Sequence, residues 1–284
     1  MTGTHTRGPG TPGPRPGEPD AAAPRDSRPY GLTVLTSRRG LRYQSRGEGP
    51  VLLLVHGWCL DRRMWMYQEA ALAASFTVVS VDLAGFGGSA GLLGPYSAAR
   101  HAADLADLLT ELGARSATVV AFAYGATVAM ELATAFPERA GRLVLIGVPS
   151  AATAPYEKMP RAMLRDWPDF AARSARAICA DGVSDATVDW LTRMFAGTPL
   201  PVALEAVGQL ARWEPLPMAA AVTVPTLVVH GANDRVVPLG VAAGLAEALP
   251  DAALATVAES AHLVPVDASE QLNRLVDGFA RETP

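Results

Sequence analysis

Apolar and polar positions follow one another along this chain in blocks whose length and period change regularly. "VLLLV" (residues 51–55) is short and wholly apolar, the pattern of a strand buried on both faces of a parallel sheet. "FTVVSVD" (76–82), "ATVVAF" (117–122), "GRLVLIGVP" (141–149) and "PTLVVHG" (225–231) predict further strands. Between them, "YSAARHAADLADLLTELG" (96–113) has helical spacing, with Ser97 placed to cap its start and Gly113 its end. "YGATVAMELATAF" (124–136) predicts a helix that stops before Pro137. Near the start, "GLTVLTS" (31–37) and "LRYQSRG" (41–47) predict two strands joined by a turn at Arg39-Gly40. Strand alternating with helix argues for an α/β protein whose mostly parallel sheet is covered on both faces. The alternation lapses from Ser150 to Pro215, where the pattern is helical and loop-like. It then resumes, with helices expected around Leu239–Leu249 and to Arg281.

Composition narrows the reading. Residues 1–29 are rich in Pro and Gly and lack an apolar stretch, so they predict a disordered tail and not a signal peptide. Net charge is −4, and Lys158 is the single lysine. Nothing here is a basic footprint for nucleic acid or anionic lipid. No apolar run reaches the roughly 18 residues that span a membrane. The two cysteines, Cys59 and Cys179, are too few for a disulfide framework and read as small buried hydrophobes in a cytoplasmic protein. No cluster of His, Cys and Asp suggests a metal. "GFGGS" (85–89) is neither a phosphate-binding loop nor a dinucleotide-binding one, so cofactor independence is expected.

Five strings, in this order, carry a resemblance. "LLLVHGW" (52–58), "VDLAGFGGS" (81–89), "VVAFAYGATVAMELA" (119–133), "VPTLVVHGANDRVVP" (224–238) and "ESAHLVPVDASEQL" (259–272) together resemble the α/β-hydrolase fold family from about Tyr30 to Arg281. The resemblance implies a core of residues 30–149 and 216–284 with a helical cap at 150–215. It also implies a strained strand–turn–helix elbow that presents a nucleophile between small neighbours, here Ala121, Gly125 and Ala126. The nucleophile position holds Ala123, which has no atom able to attack. By the same resemblance Asp234 is the acid and His262 the histidine of the triad, the acid fixing the imidazole's tautomer and orientation. The backbone N–H groups of Trp58 and Tyr124 correspond to the donors that hold an oxyanion. His56 would position the oxyanion loop, and Asp82 would hold the glycine turn. Ser89 and Ser260 read as turn residues, and His101 as a residue on an exposed helix without a role.

Three functions stay open on these residues. One is an enzyme in which His262 and Asp234 act as a non-covalent acid–base pair on a small, largely apolar carbonyl compound, by elimination, cyclisation or cofactor-free chemistry. Another is a serine hydrolase whose Ser was replaced by Ala. The third is a binding protein that keeps the pocket without turnover.

Overall fold

Eight strands form one sheet in the order β1-β2-β4-β3-β5-β6-β7-β8. They are β1 (Leu35–Thr36), β2 (Arg42–Arg46), β3 (Val51–Val55), β4 (Thr77–Val81), β5 (Ala117–Phe122), β6 (Ala140–Ile146), β7 (Thr226–Gly231) and β8 (Ala252–Val257). The first two pair antiparallel, and β2 joins β4 antiparallel; every pairing from β4 to β8 is parallel. The computed structural model describes residues 1–2, 33–151 and 156–282; apart from Met1 and Thr2, the tail expected at 1–29 lies outside the described residues.

The apolar runs sit where double burial is required. Leu52, Leu53, Leu54 and Val55 of β3 are fully buried, as are Val119, Val120 and Ala121 of β5 beside them. The first predicted strand is shorter than its pattern suggested. Pairing stops at Thr36 because Ser37 starts a turn: its hydroxyl accepts from the Leu41 N–H at 3.0 Å, and its carbonyl accepts from the Gly40 N–H at 2.8 Å.

Eleven helices flank the described sheet: α1 (Met66–Leu72), α2 (Ala98–Glu111), α3 (Tyr124–Ala135), α4 (Met159–Arg165), α5 (Trp167–Ala177), α6 (Asp185–Gly197), α7 (Leu200–Leu210), α8 (Leu216–Ala219), α9 (Leu239–Ala248), α10 (Val264–Asp267) and α11 (Ser269–Arg281). The Ser97 hydroxyl caps α2 by accepting from the Arg100 N–H, and Gly113 ends that helix at φ +68°. Helices α4 to α7 all lie between β6 and β7, in the stretch where the alternating pattern lapses. There α5 packs on α6 and α4 on α7. None of the described helices is long and apolar enough to cross a membrane.

His101 departs from its expectation. It is fully buried on α2, between the rings of Phe86 and Tyr124, and neither ring nitrogen has a hydrogen-bond partner among the described residues. Burial, followed by the charges of His56 and Arg100, pushes its pKa down to about 3. The helical spacing from His101 to Leu105, Leu108 and Leu109 already put it on the apolar stripe.

Candidate active site

Parallel strands deliver their C-terminal ends to one edge of the sheet, and the loops leaving those ends meet there. The loop after β5 is a single-residue elbow. Ala123 has φ +47° and ψ −112°, outside the regions a non-glycine residue ordinarily occupies. Its N–H donates to the Ile146 carbonyl at 2.8 Å, and its carbonyl accepts from the Ala126 N–H at 2.8 Å, so both neighbours of the bend are tied down. The small residue at Gly125 is a steric necessity. A Cβ there would lie 2.5 Å from the Val55 carbonyl oxygen and 2.6 Å from that of His56.

The loops after β7 and β8 touch closely. A Cβ on Gly231 would fall 1.9 Å from the Ala261 carbonyl oxygen, and the Asn233 N–H donates to the Ser260 carbonyl at 2.9 Å. This contact brings together Asp234 and His262, which are 28 positions apart. His262 Nδ1 donates to Asp234 Oδ2 at 2.7 Å, and both side chains are buried. The other carboxylate oxygen, Oδ1, accepts from the Val236 N–H at 2.7 Å and the Val237 N–H at 2.9 Å. Burial alone would raise the carboxyl's pKa, but His262 and the two backbone donors outweigh it and hold it below its ordinary value. Asp234 is therefore a fixed anion. With Nδ1 occupied, Nε2 is the ring's available nitrogen.

His262, Ala123, Tyr124 and Trp58 all line one cavity of about 320 Å³. Tyr124 opens α3, so helix geometry leaves its N–H without an intrahelical acceptor. Trp58 follows the His56-Gly57 step, which His56 holds in place. Its Nδ1 donates to the Gly57 carbonyl at 2.8 Å, and its Nε2 accepts from the Leu83 N–H at 3.0 Å. The Trp58 indole donates to the Ala203 carbonyl on α7 at 3.1 Å and meets Phe195 edge-on. Asp82 stays out of the cavity: it accepts from the backbone of Arg62 and Gly88, and pairs with the Arg62 guanidinium. The Ser89 hydroxyl donates to the Asp82 carbonyl at 2.9 Å within the glycine turn.

Cys59 is adjacent to Trp58 but buried, and burial pushes its thiol well above the ordinary value. It supplies no thiolate to the cavity. Among the described residues no three His, Cys, Asp or Glu side chains converge as a metal site.

An alpha/beta hydrolase sequence profile matches residues 52–275. The chain belongs to the alpha/beta hydrolase family. It is 29% identical over 276 residues to the 2-hydroxymuconate semialdehyde hydrolase of Pseudomonas putida, covering 92% of this chain and 97% of that one. It is also 29% identical over 245 residues to a pimeloyl-[acyl-carrier protein] methyl ester esterase of Chromobacterium violaceum, covering 77% and 89%. Among solved structures, the bromoperoxidase of Bacillus anthracis superposes with a TM-score of 0.82 at 22% identity, over 88% of this chain and all of that one. That likeness is one of fold.

Gly147 and Phe122 were not singled out in the sequence as site residues. Gly147, at φ +58°, leaves room for His262: a Cβ there would lie 2.9 Å from the imidazole Cε1. The Phe122 ring sits 4.9 Å from the imidazole, centre to centre. Tyr156, Met159 and Phe195, from the segment between β6 and β7, line the cavity, whereas Trp167 packs behind Trp58. A strand-end glycine before a loop was the available signal for Gly147. The cavity-facing members of a helical segment depend on its docking, which the sequence does not encode locally.

Proposed function

We propose that this chain is an enzyme acting on a small, largely apolar carbonyl compound, such as an ester, a lactone or a polyketide-like molecule, by non-covalent acid–base catalysis. His262 Nε2 takes a proton from the substrate, Asp234 stabilises the imidazolium, and charge develops on the carbonyl oxygen. The N–H groups of Tyr124 and Trp58 receive that oxygen; the position of the first at a helix start favours negative charge. Residues 150–215 act as the cap, closing an apolar roof over the site. The observation that carries the reading is the buried 2.7 Å His262–Asp234 pair, aligned on the same cavity as an alanine. Such a pair can act as a general base, for which a side chain able to form an adduct is not required.

A second reading has its own support. An alanine gains nothing from φ +47° and ψ −112°, a sparsely populated backbone shape that costs on the order of 1–3 kcal/mol. That strain suits a serine hydrolase in which Ala has replaced Ser at 123, and the two curated relatives are by name a hydrolase and an esterase.

The discriminating experiment compares the chain as written, Ala123→Ser and His262→Ala. Each is assayed with short p-nitrophenyl esters and a fluorophosphonate probe. A lost triad serine typically costs about a millionfold in kcat. If Ala123→Ser gains esterase activity by several orders of magnitude and labels covalently, the second reading stands. If it remains folded and inert, while lactone or polyketide turnover by the chain as written disappears in His262→Ala, the first stands. Turnover that survives in His262→Ala refutes it. Binding without turnover in every variant would make the chain a binding protein.

A further inference from the structure

The cavity wall is mostly hydrocarbon, from Trp58, Leu60, Phe122, Met159 and Phe195 among others, with hydroxyls at Tyr156 and Ser174. Among the described residues that line it, Arg235 is the one permanently charged side chain. His262 lines the same cavity of about 320 Å³ as Arg235. A molecule whose carbonyl sits at His262 therefore shares its cavity with Arg235.

Asp181, on the turn between α5 and α6, shows what the guanidinium accepts. Arg235 Nη1 donates to Asp181 Oδ1 at 3.2 Å and Nη2 to Oδ2 at 2.6 Å, the two-pronged geometry of carboxylate recognition. Both side chains are exposed, 72% and 80%, so the pair is screened by water and exchanges readily. Arg235 also borders a second cavity of about 220 Å³, lined by Asp181 and Glu259 among others. Those two carboxylates repel an anion approaching from there. Neither Asp181 nor Glu259 lines the large cavity.

We propose that Arg235 is the subsite for a carboxylate carried by the cavity's ligand, a place that Asp181 fills in the free protein. The substrate class is then a carbonyl compound with a free acid group a few bonds from the reacting carbonyl. This rests on the proposed function only in taking the cavity as the substrate's place.

Hexanoate and hexanamide have the same size and shape and differ in charge. Their binding to the full chain, followed by calorimetry at pH 8, separates the possibilities. Hexanoate is expected to bind more tightly than hexanamide, and to weaken as salt is added. Arg235→Gln should weaken hexanoate about 5- to 10-fold and leave hexanamide unchanged. Asp181→Asn should strengthen hexanoate about 3-fold, because it removes the internal competitor for the guanidinium. Hexanoate affinity that is indifferent to Arg235→Gln, or weakened by Asp181→Asn, overturns the subsite. Hexanamide binding with no preference for hexanoate also overturns it, and leaves the cavity's role intact. If neither probe binds, the subsite and the cavity's role as a substrate site fail together.

Discussion

Replacing Gly147 with Ala tests the packing that aims His262, without any substrate. Two penalties apply. The residue has φ +58°, a conformation that costs an L side chain about 1–2 kcal/mol. A gain of about 0.4–1 kcal/mol from the stiffer unfolded chain offsets part of that. The second penalty is steric, because the new Cβ would lie 2.9 Å from His262 Cε1 and 3.1 Å from Nδ1. The ring cannot simply retreat, since its 2.7 Å bond to Asp234 holds it. Overpacking of this kind costs about 1–3 kcal/mol. Gly113 is the matched control: it has φ +68°, and a Cβ there meets nothing within 4 Å. Gly113→Ala should therefore cost about 1 kcal/mol or less, and Gly147→Ala about 1–3 kcal/mol more. In thermal unfolding each kcal/mol appears as about 2–4 °C in a chain of this size. In a His262→Ala background the excess should vanish, giving a coupling of about 1–3 kcal/mol in the double-mutant cycle. Equal costs at the two glycines, or an excess that persists without the imidazole, would refute the claim that Gly147 is kept small for His262.

Two further outcomes follow from buried groups. The folded chain refuses a proton at His101 until about pH 3, whereas the unfolded chain accepts one near 6.5. The stability this contributes is whole above pH 6.5 and is lost as pH falls toward 3, at up to about 1.4 kcal/mol per pH unit. His101→Leu should flatten that slope in urea unfolding measured at pH 7 and pH 4.5; an unchanged slope sinks the assignment. Cys59 and Cys179 are both buried, the thiol of Cys59 pushed well up and that of Cys179 to about 12. Ellman's reagent at pH 8 should label neither in the folded chain and both in urea; prompt native labelling would contradict the burial.

Chain pattern determined the α/β class of this protein, because a strand buried on both faces must be apolar throughout and an amphipathic helix must repeat every 3.6 residues. The order of five motifs also marked the family, and Ala123 was legible as the residue at the elbow. Tertiary structure decided what those residues do to one another. Asp234 and His262 meet because Gly231 lets the Ala261 backbone approach the end of β7. Gly147 counts only because the imidazole occupies the space beside it. Arg235 faces a hydrocarbon cavity because the segment between β6 and β7 folds over it, and Asp181 reaches it from that same segment. Local sequence fixes which backbone shape each stretch prefers; distances between stretches are set by the packing of the whole sheet and its helices, so the identity of a site's neighbours appears only when the chain is folded.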